Sequence, residues 1–197
     1  MPEPTRLFRL MPVEAPWGDY GQVLMHGLST RLDRLHGLIQ LERTGPTIAP
    51  ITIPNDNDLI VTQGFQLALE QSGLTGFSFQ PVIKRHIVDL DWEEWDITAD
   101  EPAELPEDNI ASHYILRRPH ETRAADELGI LFELVLESGI EAWIDGDDIL
   151  RVKPETWNGT DFFHATEHRI PCVSANARDW LEHHAGDYVE FRELRSA

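Results

Sequence analysis

The chain has 197 residues, of which 41% are hydrophobic and 9% aromatic; that suffices for a packed core and excludes a generally disordered chain. Sixteen lysines and arginines stand against 35 aspartates and glutamates, a formal net charge of −19, which argues against a nucleic-acid binder and against attachment to anionic lipid. The single cysteine, Cys172, excludes a disulfide framework or a thiolate zinc cluster.

No apolar run follows Arg6 and Arg9 as in a signal peptide, and the longest mostly apolar stretch, Leu59–Leu69, is too short to span a bilayer. The expectation is a soluble, cytoplasmic protein.

In chain order, Leu7–Leu10 and Leu38–Leu41 read as short strands joined by Gly- and Pro-containing loops. Asp56 or Asp58 is placed to cap a helix over Leu59–Gln71 that stops at Gly73; Phe77, Phe79 and Val82 follow in a strand-like run. Glu121–Ser138 reads as a second helix, with Leu128, Leu131, Leu134 and Val135 on one face and Gly139 at its end. A strand through Trp143 and Ile144, an Asp145-Gly146 hairpin signal and the run Ile149–Val152 come next. Ser174 caps a third helix to Ala185, stopped by Gly186, and Tyr188–Phe191 alternates as a strand.

Leu-Glu precedes each stopping glycine, at Leu69-Glu70, Leu136-Glu137 and Leu181-Glu182. Irregular spacing favours ordinary helix-ending grammar, with glycine in the left-handed conformation, over an internal duplication. Helices and strands alternate without βαβ regularity. The expected class is α+β, with mixed or antiparallel sheet elements packed with about three main helices.

Charge is unevenly spread. No lysine or arginine lies between Arg85 and Arg117, where ten carboxylates carry about half of the net charge. Within that stretch, residues 99–109 hold Pro102 and Pro106 and read as a loop. The chain is accordingly either one domain, 1–197, or two lobes, 1–98 and 110–197, joined by this acidic loop.

Just before the loop, Asp89, Asp91, Glu93, Glu94 and Asp96 interleave with Trp92 and Trp95. Carboxylates steer a basic partner and a tryptophan fills a pocket on it, so these seven residues form the candidate partner-binding segment. An amphipathic strand with Leu90 and Trp92 inward and acids outward explains the same pattern, and both readings can hold together.

Other chemistries are weaker. His164-Ala165-Thr166-Glu167-His168 fits H-x-x-E-H, in which two histidines one helical turn apart bind zinc and the glutamate activates water. A metal-dependent hydrolase on His164, Glu167 and His168 is therefore the alternative function, although Pro171 argues against a continuing helix and nine histidines make a chance match easy. Asp145–Asp148 lacks the spacing of a calcium loop, and Cys172, between apolar neighbours, reads as a buried, inert thiol. No metal or cofactor is otherwise implied.

Several runs resemble a known family. They are Ile39-Gln40-Leu41-Glu42-Arg43-Thr44-Gly45-Pro46, Pro50-Ile51-Thr52-Ile53-Pro54, and the run from Ser72-Gly73-Leu74-Thr75-Gly76 through Phe77-Ser78-Phe79-Gln80-Pro81-Val82. Toward the end come Asp161-Phe162-Phe163, Val173-Ser174 and Trp180-Leu181. Together they resemble the immunity proteins of bacterial polymorphic toxin systems. That resemblance implies a non-catalytic cytoplasmic inhibitor that occludes the active or substrate-binding surface of a cognate secreted toxin. It supplies no catalytic residues, and the acidic segment is read from charge and aromatics alone. A toxin with a basic surface suits the acidity, whereas a general adaptor or nucleic-acid mimic would bind many basic partners weakly.

Overall fold

Sequence position alone does not separate the two bodies of this protein, because each draws on distant stretches. The computed structural model describes residues 6–31, 37–90, 110–145, 150–166 and 168–196. The segment Asp91–Asp96 and the loop 99–109 lie outside the described residues, as do Gly146–Ile149 and Glu167.

The first half runs β1 (Leu7–Pro12), α1 (Gly18–His26), β2 (Leu28–Arg31), β3 (Ile39–Gly45), β4 (Ile51–Thr52), β5 (Ile60–Thr62), α2 (Gln63–Gln71), β6 (Phe77–Pro81) and β7 (Ile83–Asp89). It continues with α3 (Ala111–Leu116), α4 (Thr122–Glu127), β8 (Leu131–Leu136), β9 (Gly139–Ile140), β10 (Ala142–Ile144) and β11 (Leu150–Val152). The last elements are β12 (Phe162–Ala165), β13 (Ile170–Ser174), α5 (Ala175–Ala185), β14 (Val189–Glu193) and β15 (Arg195–Ser196). Among the described residues five α-helices, three of them long, and mixed sheets make this an α+β protein, as expected.

The first unit comprises Met1–Val13, Leu67–Phe79 and Leu134–Ala197, and the second Glu14–Gln66 and Gln80–Glu133. In the first, five strands follow the order β14-β1-β13-β12-β9. All five residues of β13 are buried, as a central strand requires. The cap at Ser174 forms as read: its Oγ accepts the Ala177 N–H at 3.2 Å, and Ala177, Leu181 and Ala185 bury one stripe of α5. Strands β10 and β11 pair antiparallel, Ala142 with Val152 and Ile144 with Leu150, on either side of the expected Asp145-Gly146 turn, whose Gly146 lies outside the described residues.

In the second unit, β3 pairs antiparallel with β2 and parallel with β7. A separate antiparallel set joins β5 to β4 and to β8. Between them lies a core of Ile39, Leu41, Ile60 and Leu131.

Several expectations need correction. The helix expected over Glu121–Ser138 is short α4 followed by strand β8. Gly129, at φ +67°, breaks the helix, and Leu131 then pairs with Thr62 and Glu133 with Ile60 on β5. The apolar run fits both periodicities, so the waiting partner strand decides. The helix expected from Leu59 starts only at Gln63, because Ile60–Thr62 is taken up by β5. Asp58 is not its cap; it accepts from Ser29 Oγ at 2.6 Å and pairs with Arg31 at 2.8 Å.

Of the three stopping glycines only Gly73 is left-handed, at φ +77°. Gly139 opens a strand and Gly186 keeps a right-handed φ of −58°. The Leu-Glu pairs therefore share no common helix ending, since Leu136-Glu137 closes a strand.

Helix α1 carries no sequence signal of the usual kind. Its first residue is Gly18, no side chain caps it, and a Cβ at Gly21 would lie 1.8 Å from the Pro16 carbonyl oxygen. Tertiary packing holds it: Tyr20 and Leu24 are buried with Leu90 and Tyr114, and the Tyr20 and Tyr114 rings meet edge-to-face at 6.4 Å.

Candidate functional site: a cleft where β7 ends

The Leu-Glu-Arg-Thr-Gly part of the first resemblance run lies on β3, and with Pro46 just after it shapes a cleft of the second unit. Arg43, within it, is fully buried. Its Nε donates to the Thr44 carbonyl at 2.7 Å, and its Nη2 to those of Met25 and Thr47 at 3.2 and 3.4 Å. Met25 sits in the last turn of α1, where the helix dipole favours a cation. Burial pushes the guanidinium down to about 9, so it remains charged at neutral pH. Thr44, also buried, donates its hydroxyl to the Leu24 carbonyl at 2.7 Å. The motif is thus a clamp that ties β3 to α1 and sets the course of Gly45, Pro46 and Thr47; the Gly45–Pro46 bond is cis.

On the other side, β7 is held against the stretch from α3 to α4. His86 Nε2 lies 3.0 and 2.9 Å from the carbonyls of Ile115 and Arg118. The Ile87 N–H donates to His120 Nδ1 at 3.0 Å, and the Glu121 N–H to the Ile87 carbonyl at 2.8 Å. Ala124, Ala125 and Leu128 then pack α4 on Ile87.

Between these walls opens a cleft of about 320 Å³, lined by Pro46, Thr47, Asp89, Leu90, Glu121, Arg123, Ala124 and Glu127. Three carboxylates face one guanidinium. Arg123 donates to Glu127 at 2.8 Å; that hydrogen bond, then the attraction of Glu127, and lastly Asp89 raise the arginine above its ordinary value. The surplus is negative, which suits a cationic side chain of a partner.

Of the seven candidate contact residues, Asp89 alone is described; it is exposed, ends β7 and lines the cleft. Asp91, Trp92, Glu93, Glu94, Trp95 and Asp96 lie outside the described residues. Glu121, Arg123 and Glu127 were not singled out from the sequence. No local pattern marks them, because α4 reaches β7 only through the fold.

The histidine pattern is laid out differently from a zinc helix. His164 is on strand β12, and His168 is exposed in the turn leading to β13. A strand and a turn do not bring two histidines to one helical face. Burial, the charge of Arg169 and a hydrogen bond to the Ala165 carbonyl set His164, with the net effect downward. Among the described residues no three His, Cys, Asp or Glu side chains gather as a metal site. Asp145 accepts from Arg151 Nε at 2.6 Å, and so braces the β10–β11 pair. Cys172 is fully buried, and burial pushes its thiol up to about 12.

Three of the other resemblance motifs, at Thr75, Asp161 and Ser174, meet in the first unit as a structural node. Asp161 accepts from Thr75 N–H and Oγ1, each at 3.0 Å, and from Ser174 Oγ at 2.8 Å. Gly76 packs so tightly there that a Cβ would lie 2.1 Å from the Phe162 carbonyl oxygen. The polar groups of this node bond to one another and tie the start of β12 to the end of β13 and to the stretch before β6.

Among the described residues no helix is long and apolar enough to cross a membrane. Neither a protein-family model nor a curated protein matches the chain.

Proposed function

We propose that this chain is an immunity protein, a non-catalytic cytoplasmic inhibitor that binds a cognate secreted toxin and occludes its active or substrate-binding surface. The observation that supports the reading best is the acidic cleft where β7 ends. Asp89, read from the sequence as a contact, lines it together with Glu121 and Glu127, and the chain runs on from there into the acidic, tryptophan-bearing segment.

Negative charge speeds the encounter with a basic surface, and an acidic concave site gives a partner's cation somewhere to seat. The inhibitor needs no cofactor and makes no direct contact with nucleic acid or membrane. Its specificity lies in one partner surface.

The test is a tagged pull-down from source cells at moderate salt, read by mass spectrometry. The expected result is one stoichiometric partner that poisons cells when expressed alone and is harmless beside this protein. Only a diffuse set of basic proteins would overturn the reading in favour of a general acidic adaptor.

A further inference from the structure

Arg43 Nη1, His26 Nε2 and Thr52 Oγ1 are buried and have no hydrogen-bond partner among the described residues. Arg43 and Thr52 are 0% exposed and His26 is 3% exposed. All three belong to one neighbourhood of the second unit. Arg43 Nη2 donates to the carbonyl of Met25, the residue before His26, and a Cβ on Gly27, the residue after it, would lie 2.6 Å from Arg43 Cβ. Thr52 precedes Ile53, whose N–H donates to His26 Nδ1 at 3.2 Å.

The chemistry of the three is that of donors. Because His26 Nδ1 accepts, the neutral ring carries its hydrogen on Nε2. Arg43 Nη1 has only hydrogens to give, and the threonine hydroxyl can give one. Among the described residues the partners of this guanidinium are three carbonyls and no carboxylate, and burial is the one cause of its shift. The guanidinium charge helps to hold His26 neutral, after burial.

We infer that Arg43, His26 and Thr52 enclose a binding site for a small monovalent anion of the chloride type, between the end of α1, β3 and β4. An anion accepts from all three donors and neutralises the buried cation. A water molecule has two lone pairs and cannot accept from all three donors at once, nor does it neutralise the buried cation. A cation would meet Arg43 directly. Burial of all three side chains disfavours large or multiply charged anions. The inference is independent of the proposed function, and the cleft is affected only through Thr47, whose carbonyl Arg43 also holds.

Two measurements on the full chain test it. Thermal unfolding is followed while chloride replaces gluconate at constant ionic strength, and crystals grown in bromide are examined for anomalous scattering. The expected results are a midpoint that rises saturably with chloride and a bromide peak within hydrogen-bond distance of Arg43 Nη1. Thr52→Val keeps the side-chain shape and removes one donor, so half-saturation moves to about fivefold higher chloride, the loss of one hydrogen bond. Arg43→Met, where it folds, abolishes the chloride dependence.

Equal midpoints in chloride and gluconate, with no bromide peak, overturn the site in favour of ordered water. A chloride response that never saturates and is unchanged in Thr52→Val overturns it as a general salt effect.

Discussion

Gly45 and Asp89 are direct partners across the parallel pair β3–β7, and the next residue along, Leu90, donates its N–H to the Gly45 carbonyl at 2.9 Å. The strand that carries the buried Arg43 clamp thereby fixes Asp89, the first of the seven candidate contact residues. One wall of the cleft is the Gly45–Thr47 turn, and the other is the start of α4.

Neutralising the cleft tests its part in binding. The variant Asp89→Asn, Glu121→Gln, Glu127→Gln is expected to lose about tenfold or more in affinity for the partner, mainly in association rate, since rim charges act chiefly on the encounter. Residual binding becomes less sensitive to salt. Neutralising Asp91, Glu93, Glu94 and Asp96 is expected to act the same way. Surface plasmon resonance across a salt series measures both, and unchanged rates with an unchanged salt slope would remove these acids from the interface.

His26 predicts a pH dependence with a definite sign. Burial first, and the Arg43 charge second, lower it from 6.5 to about 4. The folded state therefore holds fewer protons on this residue than the unfolded chain between those values. Its stabilising contribution is present above pH 6.5 and is lost as pH falls toward 4, on the order of 3 kcal/mol in total. His26→Gln keeps an acceptor for the Ile53 N–H and removes the titration. Urea unfolding of the two proteins from pH 7 to 4 should diverge accordingly, and parallel curves would show that His26 does not titrate in this way.

Two glycines with the same backbone requirement separate strain from clash. Gly73 (φ +77°) has nothing within 4 Å of an added Cβ, so Gly73→Ala should cost only the left-handed penalty, about 1 kcal/mol. Gly76 (φ +95°) would place its Cβ 2.1 Å from a backbone oxygen. Gly76→Ala should cost about 3 kcal/mol or more, because backbone cannot swing aside as a side chain can. Chemical denaturation of both variants decides; equal costs would refute the close approach.

Cys172 is expected to be unreactive in the native protein. Complete burial removes access, and raising the thiol to about 12 removes the thiolate that attacks. A chromogenic disulfide reagent should label one thiol per chain only after denaturant is added. Rapid labelling under native conditions would contradict its placement in the core.

Ser174 joins two roles that one substitution reveals. Ser174→Ala removes the acceptor for Ala177 N–H at the start of α5 and the donor to Asp161. The expected loss is about 2 kcal/mol, the upper end for a helix cap, because Asp161 loses a partner at the same time. Asp161→Asn, which keeps an acceptor for Thr75, should cost less. Thermal unfolding ranks the two.

The features legible in the sequence are those whose causes are local. The cap at Ser174 and the stripe Ala177, Leu181, Ala185 need only helical spacing. The pairing of β10 with β11 joins two neighbouring apolar runs, and Gly73 needs only a left-handed residue after a helix. The acidic stretch and its single described member at the cleft, Asp89, were likewise visible, because charge is a property of composition.

What only the tertiary structure decided is where partners had to be supplied from far along the chain. Leu128–Leu136 fits a helix as well as a strand until β5 offers its edge. Glu121 and Glu127 become cleft residues only because α4 packs on Ile87. Arginine is a surface residue by composition, and Arg43 lies in the core because carbonyls from three separate residues surround it there. Local propensity acts over a few residues, whereas burial and hydrogen-bond satisfaction depend on which distant segments meet.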